Sequence, residues 1–273
     1  MVSRSLETYN GPLDCGAESH RRMCRSGVYL AARLGFPDLK CSYTYEKLGG
    51  APLSEYAYAL QLAIARKQKH EIERLLDAGI PASHQLPFGF APILIAANLD
   101  VGSDSEYIVD LLISAGANMN FANEGGITSL YSSARKGNLP VVRMLLSKGA
   151  TIQADHRNRR IPLHLAAAGG YNEILDLLLE NDADVNARDV NGLTAVYLAM
   201  MLGHEHTVQL LIDKGADTTI KKDGVSLLHM TAGRGLGEIA DLLITRGAAI
   251  DDFADDELAT LHYAARGGDL AVA

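Results

Sequence analysis

Apolar and polar positions in this chain recur with a period close to 33 residues. Residues 161–187 read IPLHLAAAGGYNEILDLLLENDADVNA, residues 194–220 read TAVYLAMMLGHEHTVQLLIDKGADTTI, and residues 128–154 read TSLYSSARKGNLPVVRMLLSKGATIQA; the three superpose without a gap. With Leu163 as anchor, the equivalent residues are Leu60, Ile93, Leu130, Val196, Leu228 and Leu261, at spacings of 33, 37, 33, 33, 32 and 33 residues. One four-residue insertion within Asn98–Ser105 accounts for the long interval. Self-similarity at such a period is the signature of a repeat architecture.

Each copy predicts two short helices. Pro162 suits a first helical turn, where an N–H has no partner to lose, and Thr128, Thr194 and Ser226 stand where a hydroxyl can cap free amides. Leu163, Ala166 and Ala167 make one small-residue face, and Gly169 with Gly170 ends that helix and permits a reversal. Ile174, Leu175, Leu177, Leu178 and Leu179 give a second helix with an apolar stripe too wide for solvent. Asp184–Gly192 connects to the next copy, with Asn191-Gly192 as the turn signal. Neither helix can cover its apolar face within its own unit, so the units must stack.

This pattern resembles the ankyrin repeat, whose Thr-Pro-Leu-His signature is echoed in Ile161-Pro162-Leu163-His164, Ser226-Leu227-Leu228-His229 and Ala259-Thr260-Leu261-His262. The resemblance runs from about Tyr58 to Ala273 and implies an all-α solenoid of stacked helix-turn-helix units with finger loops. Seven repeats are expected within an array over 54–273. Val28–Leu39 looks like half of a further repeat, so residues 26–53 are expected to form a degenerate capping repeat behind an arm at 1–25. Ala273 is the counterpart of Leu175, which leaves the last repeat truncated and predicts that the chain is part of a longer one.

Composition narrows the function. Of the 273 residues 48% are hydrophobic, with no Trp and five Phe, which suits closely stacked helices better than a thick globular core. The net charge of -8 argues against nucleic acid as the partner, since phosphate binding needs many cations. The longest apolar stretch, Phe90–Ala97, is too short to cross a bilayer, and Met1–Gly16 holds no apolar run of signal-peptide type. The three cysteines, Cys15, Cys24 and Cys41, are odd in number and clustered, unlike a secreted disulfide framework. An intracellular protein, cytoplasmic or nuclear, is expected, without membrane or cofactor. Cys15, His20, Cys24 and Cys41 have zinc-ligand chemistry, but their spacing matches no zinc-finger pattern.

In ankyrin folds the first helices and the fingers line a concave palm, and the second helices form the back. Sorted by that scheme, the back carries Glu71, Glu73, Asp110, Glu173, Asp176, Glu180, Asp213, Glu238 and Asp241. The ends of the first helices carry Arg66, Lys67, Arg135, Lys136, Arg234 and Arg266, and the fingers add Arg157, Arg159, Arg160, Lys221 and Lys222. The resemblance therefore implies a basic palm on an acidic protein, suited to a protein or peptide with an acidic or mixed apolar and acidic surface. The same cations also complement helix dipoles, a purely structural use. Mid-array the positions of Arg135 and Lys136 become Ala168 and Gly169, then Met201 and Leu202, which with Tyr197 suggest an apolar contact patch. Met200 suits gap-filling between units equally well. The expected partner-binding set is Arg66, Arg135, Lys136, Arg159, Arg160, Tyr197, Met201, Leu202, Arg234 and Arg266.

His164, His229 and His262 read as structural, because Gln61, Tyr131 and Tyr197 replace them at equivalent positions. No Gly-rich phosphate loop and no nucleophile elbow is visible. The leading expectation is a non-enzymatic interaction scaffold. The alternative is an enzyme using the palm as a small-molecule pocket, with Tyr131, His156, Tyr197 and the N-terminal Cys and His residues as its candidates.

Overall fold

The structure, a computed structural model, describes residues 53–83, 91–152, 158–250, 253–254 and 258–267. The arm, all but the last residue of the expected capping repeat, the Cys and His set at 15–41, His156 and Arg157 lie outside the described residues. The chain divides into two compact units, Met1–Ile80 and Pro81–Ala273.

In the first unit α1 (Leu53–Ala65) packs against α2 (Lys69–Asp77), burying Leu60, Ile64, Ile72 and Leu75. The second unit repeats this hairpin of helices. Its pairs are α3 (Pro92–Ala97) with α4 (Ser103–Ser114), α5 (Ser129–Lys136) with α6 (Leu139–Ser147), and α7 (Pro162–Gly169) with α8 (Asn172–Glu180). Then come α9 (Ala195–Leu202) with α10 (Glu205–Asp213), α11 (Leu227–Arg234) with α12 (Gly237–Thr245), and α13 (Thr260–Gly267). Within this unit the first helices stack on one another from α3 to α13, and the second helices stack in a parallel row from α4 to α12. The architecture is the all-α solenoid expected from the period. Its one sheet among the described residues is a finger hairpin, β1 (Lys221–Lys222) with β2 (Val225–Ser226), turned by Asp223 and Gly224 at φ 51 and 73°. Two positive φ values are what a two-residue hairpin turn with right-handed strand twist requires.

Most of these helices have eight or nine residues, too few to be stable alone in water. Packing supplies what propensity cannot. The anchors Ile93, Leu130, Leu163, Val196 and Leu228 are all buried, flanked by the small pairs Ala96–Ala97, Ser133–Ala134 and Ala166–Ala167 that let inner helices approach closely. On α8 Ile174, Leu175 and Leu178 face the core, with Leu177 and Leu179 half-buried at its margin. Burial of one such leucine contributes about 1.5–3 kcal/mol. Leu261 is the exception among the anchors: it is 58% exposed on α13, with no described helix stacked beyond it.

The caps follow the sequence with one difference. The Thr128 hydroxyl accepts from the Tyr131 amide at 3.2 Å and the Ser226 hydroxyl from the His229 amide at 3.3 Å. Thr194 holds the same N-cap position without a capping bond, and its buried Oγ1 has no partner. Inner helices end on Gly137, Gly170, Gly203 and Gly235, all left-handed, where a side chain would be strained. The first unit has Lys67 at this position with φ 56°, and the end of α8 has Asp182 at φ 65° where other units have Gly149 and Gly215.

Two stability changes follow. Asp182→Gly is expected to raise stability by about 1 kcal/mol, because a left-handed side-chain residue is relieved. Leu175→Ala, which opens a cavity between stacked helices, is expected to cost about 3 kcal/mol. Urea unfolding followed by circular dichroism measures both.

Candidate functional site

Three regions hold the candidate residues: the C-terminal edge of the inner helices, the fingers, and the turn after α1. At the edge of the second unit the helix ends carry Arg135–Lys136 on α5, Ala168–Gly169 on α7, Met201–Leu202 on α9 and Arg234 on α11. Met201 is 49% and Leu202 57% exposed, whereas Ala195–Met200 on the same helix are buried. The gap-filling role for Met200 and the accessible role for its two neighbours are thus separated by one residue. Arg266 is exposed on α13.

The edge cations are held in place by the preceding unit. Arg135 Nη2 donates to Asn98 Oδ1 at 2.9 Å, and Lys136 Nζ lies 3.7 Å from Asp100 Oδ1. Both acceptors belong to the inserted turn, which the spacing located but whose contacts it did not foretell. Arg234 donates from Nη1 to the Met200 carbonyl and from Nη2 to the Met201 carbonyl at 2.8 Å. Helix carbonyls at a C-terminus lack intrahelical partners and carry the negative end of the dipole, so a guanidinium satisfies them well. For Arg234 the dipole reading is therefore realised across repeats, on the neighbouring helix. His204 makes a similar bridge, from Nε2 to the Ala168 carbonyl at 2.9 Å. In the first unit Arg66 is half-buried in the turn after α1, with Nη2 buried and unpaired.

The fingers correct two expectations. Arg160, expected to face a partner, is bound to Asp189 on the next finger, Nε to Oδ2 at 3.1 Å. The Asp189 side chain is fully buried and its Oδ1 also accepts from the amides of Asn191 and Leu193 at 2.8 and 3.0 Å. Burial pushes the carboxyl pKa up, but the Leu193 amide, the Arg160 guanidinium and the Asn191 amide outweigh it and hold it below the ordinary value. Tyr197, expected in the contact patch, is buried, and its hydroxyl donates to the Val225 carbonyl at 3.1 Å. His164 does the same work one unit earlier: Nε2–H donates to the Leu193 carbonyl at 3.1 Å while Nδ1 accepts from the Ile161 amide at 3.3 Å. Leu193 and Val225 each precede the next helix's N-cap, so phenol and imidazole perform one task. Of the finger cations Arg159 is exposed at a tip with φ 55°, and Val190, 58% exposed, reaches it from the neighbouring finger through the Val190 amide to Asn158 carbonyl bond of 2.8 Å.

Bridging of this kind recurs in the connecting loops. Asn120 Oδ1 accepts from the Thr151 amide at 2.9 Å, and Asn186 Oδ1 from the Asp217 amide at 2.7 Å. Such a unit-by-unit ladder agrees with what sequence comparison finds. The family model described as Ankyrin repeats (3 copies) matches residues 60–156, 93–189 and 152–222, more than half of the chain. The chain belongs to the ankyrin-repeat family. Comparison with curated proteins gave no significant match. Ankyrin repeats are generally protein–protein interaction modules and typically non-enzymatic.

Of the enzyme candidates, only Tyr131 and Tyr197 are among the described residues. Tyr131 and Tyr197 are buried, and burial raises both phenol pKa values above their ordinary 10, which makes them poorer proton donors near neutrality. His206 is exposed on α10, whereas His204 is half-buried and bonded to the Ala168 carbonyl. Among the described residues no group of His, Cys, Asp and Glu could hold a metal, and no helix is long and apolar enough to cross a membrane. On the outer row Asp110, Asp176 and Asp213 pair with Lys148, Lys214 and Arg246 at 3.1, 2.8 and 3.1 Å. Each cation follows the next outer helix, so the acidic back is partly neutralised across units. The acidic residues of the back are legible from helical periodicity, whereas their cationic partners one repeat away are not.

Two pH-linked outcomes follow. Burial holds His164 neutral, its pKa lowered from the ordinary 6.5. Its contribution to stability is complete above the unfolded value and is lost as pH falls from there toward the lowered native one. The urea midpoint is expected to drop between pH 7 and pH 5, and less so in His164→Gln, which copies Gln61. Arg160→Met is expected to cost about 2 kcal/mol at pH 7, the worth of a charge-assisted hydrogen bond. That cost should shrink as pH falls through the lowered native pKa of Asp189 and the carboxyl becomes neutral; parallel urea titrations of mutant and parent measure the difference.

Proposed function

We propose that the array binds another protein through the concave side of the ankyrin fold, at the C-terminal edge of its inner helices. The observation that carries this reading is the exposure of Met201 and Leu202 at the end of a helix whose other residues are buried. Two adjacent large apolar side chains left in water at a fixed helix end are better suited to contact than to folding. The cations Arg135, Lys136, Arg234 and Arg266 belong to the same edge and favour an acidic or mixed partner surface, with Arg159 as a finger-tip addition. Tyr197 and Arg160 act at the other, N-terminal end of the inner helices, where they tie successive repeats together. Arg66 holds the matching position in the first unit.

The test is affinity capture from the protein's own cell extract with parent and Met201→Ser/Leu202→Ser baits side by side. Because both side chains are exposed, the double variant is expected to keep its circular dichroism spectrum and lose the specifically captured protein. Equal capture by both baits would remove the edge from consideration as the binding surface.

A further inference from the structure

The chemistry of the edge narrows the partner further, on the reading that this edge is the binding surface. Arg135 and Arg234 both have neutral oxygen acceptors, an amide oxygen for Arg135 and backbone carbonyls for Arg234, so their positive charges are positioned but not cancelled. Lys136, by contrast, faces the Asp100 carboxylate. The apolar pair Met201–Leu202 lies between the two arginines along the stack of α5, α7, α9 and α11. The α7 position separating Arg135 from this pair is Ala168–Gly169–Gly170, which offers no side chain longer than a methyl group. There the Tyr171 ring lies so close along Gly137 and Gly169 that a Cβ at either would overlap it. The path from one arginine to the other is therefore a low shelf paved by the half-buried Tyr171 and His204 rings, with Met201–Leu202 as its one exposed apolar point.

We infer that this shelf takes an extended acidic peptide segment, with one apolar side chain seated on Met201–Leu202 and carboxylates at Arg135 and Arg234. A helical ligand needs several apolar anchors at i, i+3, i+4 and i+7, and along this path only the Met201–Leu202 pair is an exposed large apolar group. Stacked helices lie about 8–10 Å apart, and the Arg135 guanidinium reaches back toward Asn98 at the end of α3, so its charge stands roughly 25 Å from α9. At about 3.3 Å per extended residue, one carboxylate belongs about eight residues from the apolar side chain. Arg234 reaches onto the α9 carbonyls themselves, so the other carboxylate belongs only about three residues away on the opposite side. The recognised pattern is asymmetric: acidic, seven spacers, apolar, two spacers, acidic.

Fluorescence anisotropy with synthetic peptides tests the register directly. The probes are a labelled peptide with paired Glu residues at those two spacings around a Leu, made in both chain directions, and an isomer of identical composition with all Glu residues at one end. One direction of the matched peptide is expected to bind about fivefold tighter than the isomer, which is the size of a single partly exposed ion pair. Arg135→Glu should remove that preference and flatten the salt dependence, while Met201→Ser/Leu202→Ser should weaken both peptides alike. Circular dichroism checks that each variant is folded. Equal affinity for matched peptide and isomer, no binding by either, or tighter binding of an amphipathic helical peptide with apolar anchors at i, i+4 and i+7 overturns the inference. Capture that depends on Met201 and Leu202 while the peptides are not discriminated would leave the wider proposal standing and sink only this one.

Discussion

Everything in this array depends on helices that are too short to exist alone hiding their apolar faces against the next pair. An eight-residue inner helix such as α7 forms few complete hydrogen-bonded turns and gains little from propensity. Its stability comes from Leu163, Ala166 and Ala167 buried against α5 and α9, and from Ile174, Leu175 and Leu178 on its own partner α8. Small residues at the inner contacts and leucine or isoleucine at the outer ones set the spacing of the rows.

Once apolar contact fixes the spacing, polar bridges fix the register. His164 and Tyr197 reach the carbonyl just before the next N-cap, Asn120 and Asn186 reach the next loop amide, and Arg234 and His204 reach back to the preceding helix end. These side chains are chemically varied, and several of them look like site residues when read singly. Their common geometry shows that they hold the array together. At the C-terminal edge of the inner helices from α5 to α11, what the bridges leave over is the exposed Met201–Leu202 pair and the outward charge of arginines whose donors are already partly satisfied.

The period, the anchors, the helix ends and the structural standing of the histidines were all legible in the sequence, because each depends on residues a fixed distance apart. The exposure of Met201 and Leu202 beside the buried Met200 was legible for the same reason. The fates of Arg160 and Tyr197 were not. Each bonds to a group one repeat away, Asp189 at 29 residues and the Val225 carbonyl at 28, and nothing in the local sequence marks the partner. Likewise Asp100, Asn98 and the outer-row ion pairs could be placed on a face but not matched to one another. Face assignment follows from helical periodicity; pairing requires the rotation between successive units.

The central claim, that no helix pair hides its apolar side unaided, is tested most directly by length. Circular dichroism of a peptide spanning residues 161–192 should show an unfolded chain, whereas a fragment spanning 128–220 should be helical and melt cooperatively. Native-like helicity in the isolated single repeat would contradict the account.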